Sequence, residues 1–400
     1  MSSLADHLYL GACGMINALG DSCATIAKNL FAGSHAGIVP WDIQVNDKTV
    51  YVGQVNYPLP IIPDVYAKYA CRNNSLMLAA LLQIQDELDN LLVKYQSHRI
   101  AIVLGTSTSG ILEGENALQE KMHTGHYPEG FHYRQQEIGT PAIFLRDYLG
   151  LNGLAYTIST ACSSSAKVFA SARRLIESGL CDAAIIGGVD SLCRLTVFGF
   201  SALESVSKGR CNPMSVNRDG INIGEAAALF ILSRDEAGIE LLGTGESSDA
   251  YHMSAPHPEG KGAFNAMDAA LRNAGLAPDD IAYVNLHGTA THLNDAMESI
   301  AVNRLFGANT PCSSTKSMTG HTLGAAGATE AGFCWLMLSP DFNPDGYLPP
   351  HIWDEQRDEQ LPGLNLVTTG QTLLLPSGSC VLSNSFAFGG NNASVILRKH

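Results

Sequence analysis

Strand-like and helix-like stretches alternate along nearly the whole chain, which predicts α/β layers around buried sheets. Three observations carry that reading. Short continuous apolar runs, Ile100 to Leu104 and Ala183 to Val189 among them, have the length and composition of fully buried strands. The stretches between them carry apolar residues at helical spacing. The 39 glycines imply many tight turns and close helix packing. At 400 residues the chain exceeds the usual size of one core, so two fused halves are expected, 1–240 and 241–400.

Leu8 to Gly14 reads as a first strand ending in a glycine turn, followed by a helix from Ala24 to Phe31 capped by Asp21 or Ser22 and stopped near Gly33. Residues 34–65 read as irregular or hairpin-like, and a long helix is predicted over Asn74 to Tyr95. After the strand at Arg99 to Leu104 comes the turn Gly105 to Gly110, and His123 to Gly139 reads as a loop or lid. Leu154 to Thr160 is a strand and Lys167 to Ser178 a helix; further strands follow at Ala183 to Val189 and Ala226 to Leu232, around a loop over Cys211 to Glu225. The remainder repeats the theme: helix Gly262 to Ala274, strand Ile281 to Leu286, helix Asp295 to Phe306, strand and turn Thr310 to Met318, and helix Gly324 to Leu338. Strands at Ser379 to Asn384 and Ser394 to Leu397 close it.

Composition narrows the function. A hydrophobic content of 46% and a charged content of 16% describe a compact, well-buried protein, and a net charge of −14 argues against general binding to nucleic acid or anionic membranes. The ten cysteines are scattered without C-x-x-C or paired Cys/His spacing, which disfavours a zinc site and a disulfide framework and suits a reducing cytoplasm. Met1 to Gly20 has no basic n-region, so it does not read as a secretory signal. No apolar run approaches the roughly 18 residues of a membrane span.

Chemistry concentrates at Thr160-Ala-Cys162-Ser-Ser-Ser-Ala166, between a strand and a helix. A sulfur at a helix N-terminus meets unpaired amides and the positive dipole end, which favour a thiolate nucleophile. Taken blindly, any cysteine here is more often a core residue. His287, in His287-Gly-Thr-Ala-Thr-His-Leu-Asn-Asp295, and His321, in Lys316-Ser-Met-Thr-Gly-His321, fall at other strand ends. A lone histidine is more often structural, and metal ligation is disfavoured because His287 and His292 share a turn with no carboxylate at helical spacing. Two histidines and a cysteine at strand ends better suit nucleophilic catalysis. Lys316 and Glu330 also read as plain surface charges, and Asn384 to Asn392 either as a hairpin or as a glycine turn whose amides stabilise an oxyanion. The stretches beginning Thr160-Ala-Cys and Thr319-Gly-His both enter small-residue helices after a polar turn, an echo that would bring the helix starts together.

The motifs T-A-C-S-S-S-A, H-G-T-A-T-x-x-N-D, K-S-M-T-G-H-T-L-G-A-A-G-A-T-E-A and N-S-F-A-F-G-G-N-N resemble those of the β-ketoacyl-acyl carrier protein synthases of types I and II, in order and over nearly the whole chain. The resemblance implies a thiolase-like fold of two duplicated βαβαβαββ halves in αβαβα layers. It implies Cys162 as nucleophile, His287 and His321 assisting malonyl decarboxylation, and Lys316 as a partner of the site tied to Glu330. Thr289 and Thr291 would bond the pantetheine arm. The amides of Cys162 and Phe388 would form the oxyanion hole, Phe388 would gate the acyl tunnel, and Phe386 and Gly389 would line the substrate path. Asp295 and Glu298 match acidic positions of mainly structural role. Two histidines, rather than one histidine and an asparagine, imply an elongating, decarboxylative enzyme.

Departures from the family pattern are Asn294 in place of glycine, where tolerance of positive φ would let the turn survive, His292, and Asn391 in place of threonine. The N-terminal strand and residues 34–65 and 111–140 match poorly, so chain-length preference does not carry over; polyene or polyketide-like chains stand beside fatty-acid elongation. The implied partner is acyl carrier protein, docking near Lys68, Arg72 and Arg134, with no metal or free cofactor and a homodimer or a heterodimer with a related subunit. The rivals are a non-catalytic, chain-length-setting subunit, which lacks a nucleophile, and a cysteine hydrolase, in which His321 and Lys316 have no evident task.

Overall fold

The computed structural model describes residues 7–45 and 48–400. The readings of the N-terminal segment over residues 1–6 and of the irregular stretch over residues 46–47 lie outside the described residues. Ten principal strands form the frame: β1 (Tyr9–Asn17), β2 (Ile100–Gly105), β3 (Ala155–Ile158), β4 (Ala183–Asp190), β5 (Ala226–Ser233), β6 (Ile239–Ser248), β7 (Ile281–Asn285), β8 (Pro311–Ser313), β9 (Cys380–Phe386) and β10 (Asn391–Lys399). They run side by side as β8-β7-β9-β10-β6-β1-β5-β4-β2-β3, with a two-residue strand, Asn365–Leu366, outside β8.

The order repeats. From β1 outward the first half runs β1-β5-β4-β2-β3, and from β6 outward the second runs β6-β10-β9-β7-β8. In each, the outer three strands are parallel and the inner pairings antiparallel. The two sets join where Tyr9 pairs with Glu240 and the Leu241 amide donates to the Leu8 carbonyl oxygen at 2.8 Å. Parallel strands need helical crossovers, so both sheet faces are covered and the strands read as apolar runs rather than alternations.

Alternate strand residues then serve different layers. On one face of the first set, Ile100, Ile102 and Leu104 pack with Leu76, Leu81 and Phe144 of outer helices. On the other, Ala101 and Val103 join a central core with Phe169 and Phe333, which also takes in Val381 and Val395 of the second set. Beyond the second set Val284, Leu286 and Leu382 meet Met267 and Met297 of the outer helices there. The result is five layers, αβαβα, with the helices Ser164–Glu177 and Ala326–Leu338 in the middle. This is the thiolase-like layering that the resemblance implied.

Local departures have physical causes. Ser22 caps the first helix, Cys23–Phe31, through its hydroxyl and the Thr25 amide. The first strand does not turn at Gly14 but continues to Asn17. Glycine stands there because a Cβ would lie 2.1 Å from the Ala80 carbonyl oxygen of the crossing helix. The long helix is broken into Arg72–Leu81 and Gln85–Lys94 by a tight turn ending at Ile84 (φ −117°, ψ 29°). There the Gln83 side chain reaches across to the Met15 carbonyl oxygen at 2.7 Å. The lid segment follows a helix, Ile111–Thr124, and the helix Arg194–Ala202 also lies outside the sequence reading.

Gly14→Ala should lower stability by about 1–3 kcal/mol, because the new methyl meets backbone rather than a movable side chain. Gly11→Ala on the same strand, with nothing within 4 Å, should stay within about 0.5 kcal/mol of wild type in the same denaturant titration. Equal effects at both positions would contradict the packing argument.

Candidate active site

The nucleophile turn is built by its own serines. After β3 the chain reverses at Ala161 (φ 51°), a left-handed conformation costing a non-glycine residue about 1–2 kcal/mol. Ser164 Oγ holds it, donating to the Ala161 carbonyl oxygen at 2.6 Å and accepting from the Thr160 amide at 2.9 Å. The turn sits deep because its neighbours are small: a Cβ on Gly105 would lie 2.4 Å from the Ser165 amide nitrogen. The echo of helix starts holds in space. The Ala328 amide donates to Ser165 Oγ at 2.8 Å, and a Cβ on Gly327 would lie 2.5 Å from the Ala166 amide nitrogen. The helices that follow Cys162 and His321 therefore touch near their first turns.

His287 follows β7 and is held through its backbone. Its amide and that of Gly288 donate to the two oxygens of buried Glu298, at 2.7 and 2.6 Å. Lys316, fully buried, donates to the His287 carbonyl oxygen and to Glu330, and its Nζ lies 3.4 Å from His287 Nδ1. Across the site the His321 amide donates to the Asn222 carbonyl oxygen at 2.6 Å, while both ring nitrogens of His321 are buried without a protein partner. The imidazole centroids are 5.2 Å apart, edge to face, and the donor atoms of Cys162, His287 and His321 all lie within 4.8 Å of one another. Among the described residues this is the cluster spaced to hold a metal ion, with the thiolate and imidazole donors that soft metals favour.

Burial sets the protonation states. The Cys162 thiol is pushed up to about 11 by desolvation, against the downward pull of the Phe388 amide, Lys316 and its own amide. The helix end does not make a resting thiolate, contrary to the sequence expectation. Desolvation, then Lys316, hold both imidazoles well below their ordinary value, with His321 adding to the effect on His287. Glu330 and Glu298 are each raised to about 7 by burial. The resting site is thus a neutral thiol facing two neutral imidazoles, with Lys316 close behind.

A cleft opens from this cluster, lined by Phe200, Thr289, Thr291, Phe386, Phe388 and Asn392. The Thr289 and Thr291 hydroxyls are 3.0 Å apart, and the Phe388 ring packs against Phe200 at 5.6 Å. Phe386 stands 6.1 Å from His287, centroid to centroid, and Gly389 makes the hairpin turn at φ 84°. Asn294 is not in a positive-φ turn. It lies in the first turn of the helix His292–Phe306, where its side-chain Nδ2 donates to Asp295 at 3.2 Å and Glu298 at 3.4 Å; the positive-φ residues of the preceding turn are Gly288 and Ala290.

Of the surface cations, Lys68 and Arg134 are exposed on adjoining segments. Arg72 is not a free docking group, because its guanidinium is committed to buried Glu225, with Nε at 2.8 Å, and to the Val55 carbonyl oxygen. Phe200, Asn222 and Asn392 were not singled out individually from the sequence, although Asn392 closes the motif N-S-F-A-F-G-G-N-N.

The description "Beta-ketoacyl synthase, N-terminal domain" matches residues 85–237, and "Beta-ketoacyl synthase, C-terminal domain" matches residues 239–351. The chain belongs to the β-ketoacyl synthase family. It is 48% identical, over 100% of both chains and with a TM-score of 0.94, to a chain of the complex of a ketosynthase (ApeO) with its chain length factor (ApeC) from Xenorhabdus doucetiae. It is 25% identical, over 99% of each chain at a TM-score of 0.86, to a chain of the ishigamide ketosynthase/chain length factor. A 36% identical stretch of 269 residues aligns with 3-oxoacyl-[acyl-carrier-protein] synthase 2 of Rhizobium meliloti (strain 1021), covering 62% of this chain and 62% of that relative. The chain therefore spans about three-fifths of the length of that curated relative.

Alkylation of Cys162 by iodoacetamide, followed by peptide mass mapping, should keep accelerating between about pH 7 and pH 10, because the thiol ionises only near 11. A plateau already reached at neutral pH would show that the helix end, not burial, governs the sulfur.

Proposed function

We propose that this chain is an elongating condensing enzyme, joining a Cys162-bound acyl chain to malonyl-acyl carrier protein by decarboxylative Claisen condensation. The observation that carries the reading is the convergence of one sulfur and two imidazoles within 4.8 Å at the base of an apolar-walled cleft. The residues 1–240 contribute the nucleophile and 241–400 the two histidines.

In the first half-reaction the Cys162 sulfur attacks the thioester carbonyl of an acyl chain on the carrier's phosphopantetheine. The sulfur–carbonyl bond forms, the bond to the pantetheine sulfur breaks, and the pantetheine thiol leaves with the proton. A neutral resting thiol costs little here, because the proton has a thiolate leaving group to go to. The amides of Cys162 and Phe388 serve the oxyanion, as their effect on the sulfur's acidity supports.

In the second half-reaction malonyl-carrier protein loses carbon dioxide, and the electron pair moves onto the thioester oxygen as an enolate. Neutral imidazoles are donors suited to that oxygen. Lys316 Nζ lies 3.4 Å from His287 Nδ1, which supports a His287 proton carried on Nε2. His321, with both ring nitrogens unpartnered, supplies the other donor. The enolate carbon attacks the Cys162 thioester, the carbon–sulfur bond breaks, and the sulfur leaves as a thiolate that is protonated from solvent water, since its first proton departed with the pantetheine thiol. Glu330 holds Lys316 in place. Thr289 and Thr291 bond the pantetheine arm, Phe388 gates the acyl tunnel, and Phe386 and Gly389 shape the path. A resident metal would occupy the sulfur and ring nitrogens that substrate needs, so none enters the proposal, and no free cofactor is required.

The partner is acyl carrier protein, with Lys68 and Arg134 the docking cations that remain after Arg72 is set aside. The subunit partner is a second copy or a related chain, and the ketosynthase–chain length factor complexes among the similar structures support the latter. β3 is an edge strand whose four residues are all half-buried, which suits pairing there. The acyl chain is of fatty-acid or polyene/polyketide-like type. Ten free cysteines support a reducing cytoplasm, and no helix among the described residues is long and apolar enough to cross a membrane. The presence of Cys162, His287 and His321 together counts against a non-catalytic subunit.

Cys162→Ala should abolish condensation in a reconstituted assay with acyl- and malonyl-carrier protein. Cys162→Gln, whose amide imitates a thioester or carboxylate, should still release carbon dioxide from malonyl-carrier protein. Unchanged product from the alanine variant, or a glutamine variant silent in decarboxylation, would reject the mechanism.

A further inference from the structure

Asp190 ends β4, is fully buried and does not line the cleft. Its two carboxylate oxygens are divided between the two halves of the molecule. Oδ1 accepts from the amides of Ser107 at 2.8 Å and Thr108 at 2.7 Å, and from the hydroxyls of Thr106 and Thr108, both at 2.7 Å. Oδ2 accepts from the Ala325 amide at 3.0 Å. The first set of donors is the turn after β2. That turn reaches the nucleophile through Ser107 Oγ, which donates to the carbonyl oxygen of Ala161 at 3.3 Å, one residue before Cys162. The other donor lies in the turn Leu323–Ala325, just after His321, where Leu323 is left-handed at φ 51°.

Packing agrees with the hydrogen bonds. A Cβ on Gly324 would lie 2.7 Å from the Ser107 amide nitrogen, so the two turns are pressed together as well as bridged. A carboxylate is the one side chain of this size that offers only acceptors, and five donors converge on it. Burial raises the Asp190 carboxyl, and the Thr106, Thr108 and amide donors pull it back.

We propose that Asp190 is a positioning residue: its carboxylate, bridging the turn behind Cys162 to the turn after His321, sets the spacing at which the Cys162 thioester meets the enolate carbon. This inference rests on the condensing activity proposed above. Asn in its place has nearly the same volume but only one acceptor oxygen. If that oxygen serves Thr106 to Thr108, its NH2 faces the Ala325 N–H, donor against donor; a flip moves the conflict to the other turn. Asp190→Asn therefore cuts the bridge without opening a cavity.

The test compares three rates. Acyl transfer onto Cys162 uses the sulfur and its oxyanion amides without the imidazoles, and malonyl decarboxylation in a Cys162→Gln background uses the imidazoles without the sulfur; condensation needs both at one spacing. Asp190→Asn should leave the first two close to their parent rates and lower the kcat of condensation about 100-fold with little change in KM, the cost of a misplacement on the order of 1 Å. Thr108→Val, which removes one donor from the same clamp, should show the same pattern with a smaller drop, and it decides the matter if the asparagine variant does not fold. A fall of all three rates together, or an unaltered condensation rate, overturns the inference. If the wild-type chain itself neither loads nor condenses, the condensing reading fails and this inference falls with it.

Discussion

The structure depends on one contact between two helix beginnings. The helices Ser164–Glu177 and Ala326–Leu338 meet at Ser165, Ala166, Gly327 and Ala328, with the Ala328 amide bonded to Ser165 Oγ at 2.8 Å. Such an approach is open only to residues without bulk, and Gly105, Gly188 and Gly327 each face Ser165 or Ala166 at distances no larger side chain tolerates. Because one helix begins just after Cys162 and the other after the short turn Leu323–Ala325 that follows His321, this contact puts Cys162 beside His321, and β7 delivers His287 to the same point.

That closeness has an electrostatic consequence. The same packing that assembles the site removes it from water, and desolvation disfavours every charged form there. The thiol is raised and both imidazoles are lowered, so the resting site is neutral. The cation kept close by is Lys316, held against Glu330 and the His287 carbonyl oxygen. Replacing such a buried pair by apolar residues is often neutral or favourable for stability, so the pair is no evidence of stabilisation; what it does show is a bond to the His287 backbone. Glu298 does comparable work on the other side of His287, through the two backbone amides it accepts.

What was legible in the sequence was local, or carried by whole motifs. The buried strands, a cap at Asp21 or Ser22 and helices over Lys167 to Ser178 and Gly324 to Leu338 follow from patterns a few residues long; the cap is Ser22 and the helices begin at Ser164 and Ala326. The meeting of Cys162, His287 and His321 came from ordered motifs and from the echo between two helix entries, not from spacing alone. Readings that depended on distant partners went astray. Gly14 looked like a turn because nothing nearby in sequence reveals the helix crossing it at Ala80. Arg72 looked like a docking cation because its partner, Glu225, lies 153 residues away. The thiol was expected to ionise because a helix terminus is visible in sequence, whereas complete burial is a property of the assembled layers. The helix Ile111–Thr124 escaped notice for a related reason: only Ala117 on it is buried, so it carries little apolar stripe.

The account stands or falls on whether the buried sulfur at the helix contact is where the growing chain is held. The direct measurement is peptide mass mapping after the chain meets a mixed pool of acyl groups on carrier protein. One acyl adduct, confined to the peptide bearing Cys162, is the expected result, and its mass names the preferred chain. No adduct, or one on any other cysteine, would contradict it.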